Sequence, residues 1–166
     1  MKQISQKDLR KLMYSVNSSR DSLLLRVLYE IGCSLKELIS IKVSHVAGNK
    51  ITINGSAIRF SQISGKLSKD LKLYIDSNKL AKDNFLFSIS GRRITQLVLE
   101  HSEKFLGLKL TPHDLRYLHI VHAYLTGVHI ENIANQTGLT NLRLFQIIDD
   151  FNLKPERNYN NFLKRT

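Results

Sequence analysis

One run, Leu110 to Gly127 (LTPHDLRYLHIVHAYLTG), constrains the fold most, because it carries a helix start, a buried face and a helix stop together. Thr111 reads as the N-cap, Pro112 sits in the first turn, and Asp114 suits the positive end of the helix. Leu115, Leu118, Val121, His122 and Leu125 recur at helical spacing and predict the face turned to the core. His113 and Arg116, three apart, share one side of the first turns and can point at one target, an imidazole beside a permanent cation. A phosphate group suits such a pair. A core helix with a surface Arg and a His in the capping region satisfies the same spacing, so the pair needs support from the rest of the chain.

The balance of charge gives some. The 166 residues hold 25 Lys and Arg against 14 Asp and Glu, a formal net charge of +11 with the basic residues spread along the chain. Such a surface favours a polyanion, because neutralised phosphates release counterions, although charge alone also describes a basic protein without that partner. With 42% hydrophobic content the length suits one domain, expected over residues 1–151, with a basic C-terminal tail over 152–166. The lone Cys33 excludes an internal disulfide framework and a cysteine zinc cluster; no metal and no cofactor is expected. No run is long and apolar enough for a membrane span, and the first residues lack a signal-peptide core. The expected location is cytoplasmic, at the nucleoid if the cell is prokaryotic, with no membrane partner.

In chain order, Ser5 and Asp8 open a helix with Leu9, Leu12 and Met13 on one face, ending near Asn17. Residues 17–21 read as a polar turn before DSLLLRVLYEIG, a helix closed by Gly32. Ser34 to Glu37 has capping-box spacing and opens a short third helix. Lys50 to Phe60 alternates on both sides of Asn54-Gly55, the strongest short-range hairpin signal, and a further strand is expected between Ile41 and Val46. Helices follow over Leu67 to Ser77 and Thr95 to Leu106, with a short extended piece at Asn84 to Phe87 between them. After Gly127 come IENIANQTG and LTNLRLFQIIDDF, the latter with Leu142, Leu144, Phe145, Ile147 and Ile148 as its apolar residues. The expected class is mainly α with a small antiparallel hairpin sheet.

The strings RDSLLLRVLYEIG followed by KEL, then LFSISGRRIT, then LTPHDLRYLHIVHAYLTGVHIENIANQTG resemble the catalytic domain of tyrosine recombinases, the phage integrase and Xer-like family. His113 and Arg116 match that family's H-x-x-R box, and His122, Gly127 and Gly138 match further positions of the same run. The resemblance implies a domain that acts on double-stranded DNA with a tyrosine nucleophile and no metal. Attack on a phosphodiester builds charge on its non-bridging oxygens. Fixed guanidinium groups, which bind phosphate as a fork and keep their charge, therefore surround it. A general acid must also protonate the leaving sugar oxygen.

Other family positions are replaced. Where the family resembles T-G-L-R-x-S-E-L, this chain reads IGCSLKEL, with Ser34 at the Arg position and Glu37 and Leu38 retained. Where the family has G-K-G-x-x-R, the turn is cut to NGSA with Ser56 at the expected Lys. The L-G-H box becomes TGL, so Leu139 stands for the His, and the nucleophile position falls on Ile148. The resemblance thus implies a DNA-binding domain unable to cleave, with His113, Arg116, Arg59, Lys66, Arg92 and Arg93 as candidate phosphate contacts. At this length a separate N-terminal DNA-binding domain like that of many relatives is not expected, and a second copy or a recombinase partner is expected to complete a clamp.

Three alternatives stay open. Tyr159, or another displaced Tyr, could supply a nucleophile and make the chain an active recombinase, although Tyr117 and Tyr124 are expected in the core. The run from His129 to Phe151 also resembles a helix-turn-helix with Thr140, Asn141 and Arg143 as groove residues, as in a transcriptional regulator. An interaction module that kept the fold and lost DNA is the third.

Overall fold

Seven helix starts rest on a Ser or Thr whose side-chain oxygen accepts the N–H three residues on: Ser5, Ser18, Ser34, Ser64, Ser90, Thr111 and Thr140. Each satisfies one of the amide donors that a helix leaves unpaired at its first turn. In the computed structural model, which describes residues 4–151, they open α1 (Gln6–Tyr14), α2 (Ser19–Ile31), α3 (Leu35–Ile39), α4 (Gly65–Ser77), α5 (Gly91–Leu106), α6 (Pro112–Leu125) and α8 (Asn141–Asp150). Between α6 and α8 lies α7 (Ile130–Thr137), which starts without a side-chain cap.

A three-stranded antiparallel sheet, β1 (Val46–Ala47), β2 (Lys50–Asn54) and β3 (Ile58–Gln62), stands between α3 and α4. In its register Ile53 faces Arg59 and Ile51 faces Ser61, so Ile51, Ile53 and Ser61 turn to the core while Thr52 and Phe60 lie on the outer face. The open edge of β3 is covered by one side chain of α7. The Gln136 amide accepts from the Gln62 N–H at 2.8 Å and donates to the Gln62 carbonyl at 2.7 Å, as a neighbouring strand would.

At the centre is α2, whose Leu24, Leu25, Val27, Leu28 and Ile31 are fully buried and which packs on α4 and α6. Burial of each such side chain stabilises by about 1.5–3 kcal/mol, so the helix is held by packing far more than by propensity. Arg26 is buried within it, its charge met by Asp70 of α4 at 2.6 Å and by the face of the Tyr14 ring. No described helix is long and apolar enough to cross a membrane.

The mainly helical class with a small hairpin sheet is what the sequence predicts; several boundaries differ. The first helix ends at Tyr14, and the polar run 17–21 is already helical from Ser19 because Ser18 caps it. Capping by Ser64 and Ser90 likewise starts α4 at Gly65 and α5 at Gly91, which puts Arg92 and Arg93 inside a first turn. The hairpin closes through three residues, 55–57, rather than a tight Asn-Gly turn, since Asn54 pairs with Ile58. Within the strand expected between Ile41 and Val46, Lys42 makes an isolated antiparallel bridge to Phe85, Val43–His45 is a 3-10 turn, and pairing with the hairpin begins at Val46. Leu125 is exposed rather than core, and of the apolar residues of α8 Leu142 and Phe145 are exposed. On α6 the inward positions are completed instead by Ile120, since a helix turn at 3.6 residues carries Leu125 past the edge of the buried face.

Candidate phosphate-binding site

The left-handed Gly32 (φ 61) ends α2 and turns the chain directly into α3. That turn sets Ser34 as a complete capping box. Its Oγ accepts from the Glu37 N–H at 3.3 Å, and its own N–H donates to Glu37 Oε2 at 2.7 Å. Glu37 is therefore fixed before it meets any cation. It then meets two. Arg59 Nη1 from β3 lies 2.5 Å from Oε1, and Arg116 Nη1 from α6 lies 3.9 Å from Oε2.

The two guanidinium groups are also held at the end of α7. Arg59 Nε donates to the Gln136 carbonyl at 3.2 Å, and Arg116 Nη2 donates to the Thr137 carbonyl at 2.8 Å. Carbonyls at a helix C-terminus carry partial negative charge, which suits cations there. Burial would raise the Glu37 carboxyl, but the hydrogen bonds from Arg59 and from the Ser34 N–H, with the Arg59 charge, hold it below its usual value. Burial lowers the Arg116 guanidinium somewhat against the pull of Glu37, and an arginine so placed stays charged. The Cys33 thiol is pushed up to about 12 by burial and by Glu37, so it is a neutral, inert neighbour.

Arg116, Ser34, Lys36, Thr111 and His113 line a cleft of about 490 Å³ between α3, α5 and α6. His113 is exposed at its rim, with its ring centroid 4.1 Å from that of Tyr117. Tyr117 is half-buried and packs against the core as expected, while its hydroxyl accepts from Arg143 Nη2 at 2.5 Å. Arg143 is thereby drawn toward α6.

The other expected contacts separate. Arg92 and Arg93 are exposed on the first turn of α5, which abuts Leu35 at Gly91, and Arg93 pairs with Glu100 at 3.5 Å. Lys66 does not join the cluster; its Nζ lies 4.3 Å from the Tyr14 ring centroid on the α1–α4 side, because α4 starts early enough to turn it there. Ser56 is exposed in the hairpin turn, Leu139 is half-buried against the core, and Ile148 is a buried α8 residue. His122 is buried and structural, between the Tyr29 hydroxyl and the Ile4 carbonyl. Tyr159 lies outside the described residues. Among those residues no group of three His, Cys, Asp or Glu converges as metal ligands would.

The sequence points to Arg59 as a candidate phosphate contact but not to its pairing with Glu37. Its signal was the strand alternation: Arg59 stands two residues before the buried Ser61, opposite the buried Ile53, where an apolar residue is expected.

No protein-family profile matches the chain. It is 29% identical to the tyrosine recombinase XerA of Pyrococcus horikoshii over 162 residues, 88% of this chain and 55% of that protein. Its fold is similar to the crystal structure of XerA recombinase, with a TM-score of 0.80 at 22% identity over 89% of this chain and 59% of that one. XerH site-specific recombinase bound to its difH substrate is similar with a TM-score of 0.73 at 17% identity, over 87% and 48%. The catalytic domain of bacteriophage HP1 integrase gives 0.68 at 19% identity, over 94% of this chain and 90% of that one. The chain spans about half the length of the curated relatives it matches. The chain thus has the fold of tyrosine recombinase catalytic domains and is similar in sequence to tyrosine recombinases.

Proposed function

We propose that this domain holds double-stranded DNA through phosphate contacts centred on Arg116 and His113, and that it does not cleave the strand it holds. The observation that carries the reading is the cleft in which Arg116, fixed by Thr137 and Glu37, stands beside the exposed His113. A rigid guanidinium next to an imidazole is suited to a phosphodiester, and the net charge of +11 supplies long-range attraction. The Tn1549 transposon integrase, a neighbour in fold, is in complex with transposon right end DNA in its structure, which supports the same partner here.

Holding and cutting separate at the residue level. Ser34 is engaged as a helix cap, and Ile148 is packed in the core, so neither offers a cation or a nucleophile to a bound phosphate. A second copy or a recombinase partner would complete the grip on the duplex, because one face of one domain covers only part of it.

The test is a titration of duplex DNA by fluorescence anisotropy at several salt concentrations. Tight binding at low salt with a steep fall as salt rises is expected, and Arg116→Ala should weaken it by about 1.5–3 kcal/mol, the scale of a charged hydrogen bond. Absence of binding at low salt would remove DNA as the partner and leave an interaction module.

A further inference from the structure

The pairing of Arg59 with Arg116 is organised beyond what a hairpin anchor needs. Two adjacent carbonyls at the end of α7 take one guanidinium each, Gln136 for Arg59 and Thr137 for Arg116, and the two oxygens of one carboxylate, Glu37, face one each. Adjacent acceptors on both sides hold the two guanidinium groups near one another. Like charges so placed repel, and a single carboxylate offsets only one of them.

Room for Arg59 is built into the backbone. A Cβ on Gly138 would stand 2.8 Å from Arg59 Nη1, and one on Gly55 would stand 2.8 Å from Glu37 Oε1 and 3.5 Å from Arg59 Nη1. Gly138, on the α7–α8 turn, and Gly55, in the hairpin, thus both leave space for the same ion pair. Each of the two side chains is 12% exposed, and each retains a buried donor with no partner among the described residues, Nη2 of Arg59 and Nε of Arg116. Arg26 also has buried unpaired nitrogens, but its guanidinium lies over the Tyr14 ring, a face that accepts a cation without hydrogen bonds. No such ring covers Arg59 or Arg116 among the described contacts.

We propose that Arg59 and Arg116 form one two-guanidinium clamp for a phosphodiester, with Glu37 as the positioning carboxylate and Arg59 supplying from β3 the charge absent at Ser34. The inference deepens the DNA-holding reading and rests on it for the identity of the natural ligand. A tetrahedral anion with two non-bridging oxygens can face both guanidinium groups and offsets the second positive charge, which a lone arginine with a structural partner would not need.

The experiment uses the full chain, labelled with 15N, and follows the Nε–Hε signals of both arginines during titration with inorganic phosphate and, separately, with a short duplex. Both signals should move with one common saturation constant. In anisotropy, Arg59→Ala should weaken duplex binding roughly tenfold or more and lower the salt slope by about 0.9, as loss of one phosphate contact does. Arg59→Lys should restore the slope but not the full affinity, because a point charge replaces a fork. A hairpin anchor would lower the melting temperature in Arg59→Ala and leave the slope unchanged, and that result overturns the clamp. So does an Arg59 signal that stays still while that of Arg116 moves. Phosphate shifts at both arginines with no duplex binding would sink the DNA reading and leave the clamp standing.

Discussion

Nδ1 of His122 lies 2.8 Å from the Tyr29 hydroxyl, while its Nε2 lies 2.7 Å from the Ile4 carbonyl. A carbonyl only accepts, so Nε2 carries the proton and Tyr29 donates to Nδ1, which fixes a neutral imidazole bridging α2, α6 and the start of the chain. The family-like His of the α6 run is thus a piece of scaffold that sets how α6 presents His113 and Arg116. Burial raises the Tyr29 hydroxyl to about 12, so it remains a donor at every ordinary pH.

Stability should fall on the acid side because of this helix. Burial lowers His122 and lowers its neighbour His119 to about 4, and both are neutral in the fold. The unfolded chain binds the proton at about 6.5, so it gains protons first as pH falls. The stabilisation is therefore complete above about pH 6.5 and drains away toward pH 4, by on the order of 2 kcal/mol for His119. Urea midpoints at pH 7 and 4.5 measure it. His119→Leu should flatten the difference, and an unchanged pH slope in that variant would assign the acid sensitivity elsewhere.

Asp70→Ala should destabilise by about 2–3 kcal/mol. It leaves Arg26, 3% exposed in the middle of α2, with a charge that among the described contacts only the Tyr14 ring faces. The estimate sits below the usual range for a fully buried pair because the Asp70 side chain is 36% exposed. Thermal melts with Asp70→Asn as the intermediate case check the charge contribution, and equal loss in both variants would point to packing instead.

Ser34→Ala should cost about 0.5–2 kcal/mol of stability, as loss of an N-cap does. Glu37 keeps its hydrogen bond from the Ser34 backbone N–H and its Arg59 partner, so duplex affinity should change little. Loss of affinity with an unchanged melting temperature would instead place the hydroxyl against phosphate.

Much of this was legible without coordinates, and the unequal parts have physical reasons. Caps are local: Ser5, Ser34, Thr111 and the left-handed Gly32 announce helix ends through chemistry within a few residues. The capping box at Ser34 and Glu37 was read from spacing alone for that reason. The Arg59–Glu37 bond joins residues 22 apart, and Arg59 meets Gln136 across 77, so nothing local reports either contact. The core packing of Tyr117 follows from its helix position, but the turn of its hydroxyl toward Arg143, 26 residues on, has no local signal.

The last expectation is that no covalent protein–DNA adduct forms. Removing one preorganised donor from an anionic transition state costs about 2.7–4 kcal/mol, and a clamp of Arg59 and Arg116 would restore at most the charge that Ser34 lacks. Nothing in that clamp supplies a nucleophile. Ile148 is 3% exposed on α8, so even Ile148→Tyr would have to push a larger ring out of a packed site at about 1–3 kcal/mol. Nor does Tyr117 present itself as a substitute, since its hydroxyl accepts from Arg143 and its ring is packed against His113. The measurement is a suicide-substrate assay with nicked duplexes, read on denaturing gels. Binding without adduct is the expected result, because a fixed pair of guanidinium groups can hold a phosphodiester but cannot open it without an attacking oxygen. An adduct lost in Tyr159→Phe would make the tail the source of the nucleophile and the domain an active recombinase. One that survives Tyr159→Phe but vanishes in Tyr117→Phe would place the chemistry on α6, beside the same cleft.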